Sequence, residues 1–156
     1  MRIASLQKLH TQYQLVKLPR QDGSNDVGIT VKVYALPLGH SRDYENVVPM
    51  PQPPRRTVVN KQTGSKSEPQ WDDETYLNLM EEFNDLRSVY MLYLALSPDP
   101  EVKFDTAPDD KEALKKMLQE FKDFGITDGD KLRIVKAAMD ASGFDKDMLE
   151  TASKDF

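Results

Sequence analysis

The hydrophobic positions of this chain follow a two-residue repeat near its start and a helical repeat over its second half. Tyr13 to Leu18 is a short β-like stretch ended by Pro19. The run Asp22-Gly23-Ser24-Asn25-Asp26 has the composition of a turn. After it, Ile29, Val31, Val33 and Ala35 alternate with Thr30, Lys32, Tyr34 and Leu36. This predicts a second strand, antiparallel to the first. A hairpin alone is marginal in water, so it requires a cover. The long helix described below is the expected cover, together with a short segment over Ser41 to Val47.

Residues 48–70 have a different character. Pro49, Pro51, Pro53 and Pro54 fix φ and remove donors, so they predict an extended connector. With Arg55 and Arg56 following, the stretch also loosely resembles a polyproline ligand. Thr57 to Asn60 reads as a short edge strand, and Lys61 to Glu68 as a mobile polar loop.

From Trp71 the repeat becomes helical. Asp72 is placed to cap the helix, with Trp71 and Tyr76 as a hydrophobic staple. Tyr76, Leu79, Met80, Phe83, Leu86, Tyr90 and Leu94 fall on one face. After Arg87 the apolar face broadens into VYMLYLAL, and Pro98 and Pro100 stop the helix. Asp109 with Glu112 forms a D-x-x-E pair that opens the next helix, whose face is Leu114, Met117, Leu118, Phe121 and Phe124 before Gly125. Thr127 with Asp130 opens another, with Leu132, Ile134, Val135, Ala138 and Met139, closed by Gly143. Phe144, Asp145 and Leu149 open a last one, completed by Met148, Ala152 and Phe156. Short linkers predict a bundle of neighbours.

Charge refines this picture. The net charge of −5 conceals a split: residues 1–70 carry 10 basic and 5 acidic side chains, residues 71–156 carry 11 and 21. The acids can serve helix N-termini or mark an interaction surface. Basic residues neither cluster nor interleave with aromatics, so nucleic-acid binding is not expected. The longest apolar run, Val89 to Leu96, is far short of the roughly 20 residues of a bilayer span. The opening MRIASLQKLH is too polar for a signal peptide. There is no cysteine, which excludes disulfides and thiolate metal sites.

Candidate chemistry is sparse. His10 and His40 lack a ligand companion at helical spacing, and no phosphate loop, nucleophile elbow or dinucleotide fingerprint occurs. Counting from Asp123 as a calcium loop puts Ile134 where the bidentate Glu belongs, so helix capping explains Asp128 and Asp130 better. Asp72, Asp73, Glu74, Glu81, Glu82 and Asp85 could hold a cation or a basic partner, or form a solvated helix face. Tyr90, Met91, Tyr93 and Leu94 could form a groove for a partner helix or belong to the core. No enzyme activity, metal or cofactor is expected.

The order of parts resembles a known family. "VKLP…GITVKVYAL" is followed by a proline-rich loop, then "PQWDDETYLNLMEEFNDLRSVYMLYLAL", then "FGITDGDKLRIVKAAMDASGFDKDMLETASKDF". This resembles the tail assembly chaperones of long-tailed, siphovirus-like bacteriophages, from about Tyr13 onward. The resemblance implies a non-enzymatic protein of the host bacterial cytoplasm that binds the phage tape measure protein and promotes assembly of the tail tube around it. It implies contacts on the helices Asp73 to Leu96 and Asp130 to Ala141, and no catalytic residues.

The expected fold is α+β and mainly α: an N-terminal β-hairpin region with a proline-rich loop (1–70) packed on a long helix, then short helices completing a helical region (71–156). The candidate partner-binding residues are Tyr90, Met91, Tyr93, Leu94, Ile134 and Met139. The expected partners are the tape measure protein, the tail tube protein and a second copy of the chain, with no nucleic acid and no membrane. The competing expectation is a small acidic adaptor or inhibitor of a host protein.

Overall fold

Tyr13–Leu18 (β1) and Ile29–Tyr34 (β4) pair antiparallel, in the register Tyr13 to Tyr34 and Leu18 to Ile29. The structure, a computed structural model, describes residues 13–143. Alternation along the strands puts Val16, Leu18, Val31 and Val33 on one face. Leu18 and Val33 are buried there. Beyond Leu18 the hairpin continues as two-residue strands, Gln21–Asp22 (β2) and Asn25–Asp26 (β3). The step between the two parts is held by the Val27 N–H donating to the Arg20 carbonyl at 3.0 Å.

The rest is helical. His40–Val47 (α1) precedes a 23-residue helix, Glu74–Leu96 (α2), then Lys111–Phe124 (α3) and Asp128–Ala141 (α4). The inner face of the hairpin is covered by α2 and α4 together. Segment α1 packs on α2 instead: Tyr44 is fully buried, its ring 5.0 Å from Phe83 and 5.6 Å from Tyr90, and its hydroxyl donates to the Phe83 carbonyl. The core continues through Leu86, Leu114, Met117 and Ile134. This is the expected α+β architecture, dominated by helix. Among the described residues, no helix is long and apolar enough to cross a membrane.

Three local readings change. The cap of α2 is Asp73, not Asp72: Asp73 accepts from Tyr76 N at 2.9 Å. The turn closed by Asp73 N on the Gln70 carbonyl absorbs Asp72 and leaves Asp73 extended. Trp71 still meets Tyr76 edge-on at 5.9 Å. Likewise α3 is capped by Asp110, which accepts from Ala113 N at 2.7 Å, because Asp109 sits in a tight turn on Ala107. The capping box of Thr127 and Asp130 forms on α4 as its spacing predicts, and Gly125 ends α3 at φ 89°.

The third change is larger. Lys61 to Glu68 is not a loop, and the strand before it is not an unpaired edge. Arg55–Asn60 (β5) pairs antiparallel with Gly64–Pro69 (β6), from Arg55 opposite Pro69 to Asn60 opposite Gly64. Gly64 turns the chain at φ 84°, and Asn60 Oδ1 accepts from Gln62 N at 2.9 Å. Gln70 N donates to the Pro54 carbonyl at 2.8 Å and closes the base. Almost every residue of this second hairpin is exposed. The helix expected from Phe144 onward lies outside the described residues.

Candidate docking groove

Pro98 and Pro100 end α2, and Asp99 between them organises a reversal of the chain. Its carboxylate accepts from Glu101 N at 3.0 Å and its carbonyl from Val102 N at 3.1 Å. The reversal brings Phe104 back against the bundle. Phe104 lies 5.2 Å from Tyr93 and 5.5 Å from Phe121, ring centre to ring centre. Phe104 and Phe121 form one wall of a groove of about 560 Å³, with Tyr93 behind Phe104. The other wall is the hairpin, through Leu18, Ile29 and Val31. Ile134 of α4 also lines the groove and is fully buried.

At the mouth stands Phe124, 75% exposed. It is the last residue of α3, and the left-handed Gly125 next in the chain turns the backbone away from it. Ile29, on the hairpin wall, is also exposed. The rim is mainly acidic: Glu101, Asp105, Glu120 and Asp123 against Lys103 and Arg20. Glu120 accepts from Asp105 N at 2.9 Å, and Asp123 from Gln119 at 2.8 Å. The volume lies in the range of ordinary ligand clefts, enough for a few side chains from one face of a helix. What the lining offers is burial of apolar surface.

An ion pair helps fix the hairpin wall. Arg20 leaves the step in the hairpin and donates through Nη1 to Asp130 Oδ1 at 3.1 Å, and through Nη2 to Asp130 Oδ2 and to the Gly125 carbonyl at 2.9 Å. Asp130 is fully buried and also accepts from Thr127 N at 2.9 Å. The Arg20 hydrogen bonds hold its carboxyl well below the usual range, at about 2. Asp130 in turn raises the Arg20 guanidinium. One carboxylate therefore ties the hairpin to the first turn of α4 and caps that helix.

The six candidate residues divide. Tyr90 and Ile134 are core residues, and burial is what pushes the Tyr90 hydroxyl pKa up. Tyr90 packs on Tyr44 and presents almost no surface. Tyr93 and Leu94 are half-buried against the core, and Met91 is half-buried as well. Only Ile134 lines the groove directly, while Tyr93 supports it through Phe104. Met139 is exposed on α4 and is not among the residues lining it. The structure does not bring the six together as one surface. The residues that sequence reasoning missed are Ile29, Val102, Phe104 and Phe124 as a set. The available signal was V-x-F at 102–104, an apolar alternation directly after a proline stop.

Among the described residues, no three His, Cys, Asp or Glu side chains gather where they could hold a metal ion. His40 Nδ1 lies 3.2 Å from the Pro37 carbonyl, and His10 is outside the described residues. Comparison with known proteins gives no match: no family model, no curated sequence and no solved structure is similar to this chain.

Proposed function

We propose that this chain is a non-enzymatic docking protein that shields apolar helical segments of a partner, acting as a tail assembly chaperone of a long-tailed bacteriophage in the host cytoplasm. Its partner is then the tape measure protein, a long helical chain with apolar faces to cover until the tail tube closes around it. The observation that supports the reading is the groove between the hairpin and the end of α3, where Phe124 and Ile29 stand exposed beside Phe104. Single apolar residues on a surface are ordinary; apolar residues from three elements converging on one concavity favour a docking role. A helix with apolar residues one turn apart would set them between Phe124 and Ile29. The acidic rim disfavours the same groove of another copy, so the open face stays available.

The test is co-expression with a tape measure segment. The unaltered chain keeps the segment soluble, and the complex survives high salt because its contacts are apolar. Phe124→Glu, placed at an exposed position, leaves the fold and its melting temperature unchanged and precipitates the partner. A folded Phe124→Glu variant that still keeps the segment soluble would remove the groove from this role.

A further inference from the structure

Among the described residues, the β5–β6 hairpin has no other element laid against it. A two-stranded ribbon is marginal in water by itself, and this one has four basic residues, Arg55, Arg56, Lys61 and Lys66, against one acid, Glu68. Arg55 is occupied within the ribbon, donating to Ser67 Oγ at 2.8 Å. Arg56 and Lys66 flank the half-buried Val58 on the opposite face, where Glu68 stands across from Arg56 and leaves the face with a net positive charge. Among the described residues neither forms an ion pair, nor does Lys61.

The ribbon springs from the start of α2, and that helix also has an uncovered face. Glu74, Leu77, Glu81 and Asp85 fall on one side, opposite the buried Phe83 and Leu86. All four are exposed, and Leu77 is 51% exposed. The nearby Glu82 is already engaged by Lys111 and Lys115, whereas Glu74, Glu81 and Asp85 pair with no cation among the described residues. The lengths match: the eleven helical steps from Glu74 to Asp85 and the five steps of a six-residue strand both span roughly 17 Å. Among the described residues of one copy, no element covers the ribbon or this face.

We propose that the chain forms a two-fold dimer in which the basic β5–β6 ribbon of each copy lies along the acidic outer face of α2 of the other. A basic arm and an acidic face at the same end of one molecule are self-complementary, and a two-fold axis satisfies both contacts at once. Charge complementarity sets the pairing and its orientation. Val58 against Leu77 supplies apolar burial at its centre. This surface is separate from the groove, so dimerisation and partner binding can fail independently.

Sedimentation of the full chain over a concentration series tests the proposal. At low salt the dimer forms, and near 1 M salt, where the screening length falls to roughly 3 Å, it dissociates. Arg56→Glu with Lys66→Glu makes the chain monomeric at concentrations where the unaltered chain is dimeric, with its circular dichroism unchanged and its melting equal to that of the unaltered chain diluted to monomer, because both sites are exposed. Glu74→Lys with Glu81→Lys does the same. All four changes in one chain restore the dimer. A chain that stays monomeric at every concentration in low salt overturns the proposal. So does a dimer indifferent to reversal of the arm, or a fourfold variant that stays monomeric.

Discussion

Among the described residues there are two antiparallel hairpins with six-residue strands, and they stand in opposite situations. The first, β1–β4, is covered on one face by α2 and α4, buries Leu18 and Val33, and is fastened by Arg20 to a buried carboxylate. The second, β5–β6, is nearly all exposed and is tied at its base by a backbone hydrogen bond from Gln70. Hydrogen bonds along the ladder are common to both, so they do not account for the difference. Burial of one face does, because it supplies the apolar transfer energy that an isolated ribbon lacks. The first hairpin should therefore unfold with the bundle, and the second without it.

The strongest way to break this contrast is to remove the fastening. Asp130→Ala strands the Arg20 guanidinium, opens the capping box and frees the Gly125 turn at once. Loss of a buried partner together with a cap predicts a destabilisation of about 3 kcal/mol, read as a lower urea midpoint. The cost would be shared by β1–β4 and α4, so their amides would lose protection together. An equivalent cut in the second hairpin, Arg55→Ala, removes its hydrogen bond to Ser67 and should shift the same midpoint by no more than about 0.5 kcal/mol. Equal losses at the two sites would show that the hairpins are not distinct.

The two hairpins were unequally legible for the same reason that they differ in stability. Period-two alternation at Ile29, Val31 and Val33 exists because one face of that strand is buried, and it predicts the strand correctly. In the second hairpin neither face is buried. Gly64-Ser65-Lys66-Ser67-Glu68 therefore carries no hydrophobic signal and reads as a loop, although Asn60 and Gly64 are the residues such a turn needs. Helix punctuation was legible to within one residue: Thr127, Asp130 and Gly125 hold, while consecutive aspartates at 72–73 and 109–110 hide which one caps. The candidate surface was least legible. Helical spacing identifies an apolar residue without saying which side its neighbours occupy, so Tyr90 and Ile134 look the same in sequence as residues on a docking face.

A second, smaller effect sharpens the contrast through pH. The Asp130 carboxyl holds its charge down to about pH 2 in the folded chain, against an ordinary value of 3.8. A depressed folded value means that the ionised form is preferred when folded. Its stabilisation is therefore fully present above the ordinary value, and is lost as pH falls from about 5 toward 2. The loss amounts to about 2 kcal/mol. Urea midpoints taken down this range should fall for the unaltered chain and fall less for Asp130→Asn, whose side chain cannot ionise. If both fall equally, acid sensitivity resides in other carboxylates and the Arg20 fastening is weaker than its geometry implies.

The change expected to leave the bundle untouched is the most discriminating. Gly64 turns the second hairpin at φ 84°, a region that disfavours any residue with a Cβ, and a Cβ there would meet no neighbouring atom. Gly64→Ala therefore imposes backbone strain of about 1 kcal/mol and nothing else. If the ribbon opens without the bundle, that strain lowers only its own stability. Amide exchange within 55–69 would then quicken roughly fivefold, while the global urea midpoint stays where it was. A midpoint that moved by the full amount would mean that ribbon and bundle unfold as one. The same measurement at rising protein concentration carries the argument further, because a ribbon laid on a second copy exchanges more slowly as dimer accumulates, and one that stays in water does not.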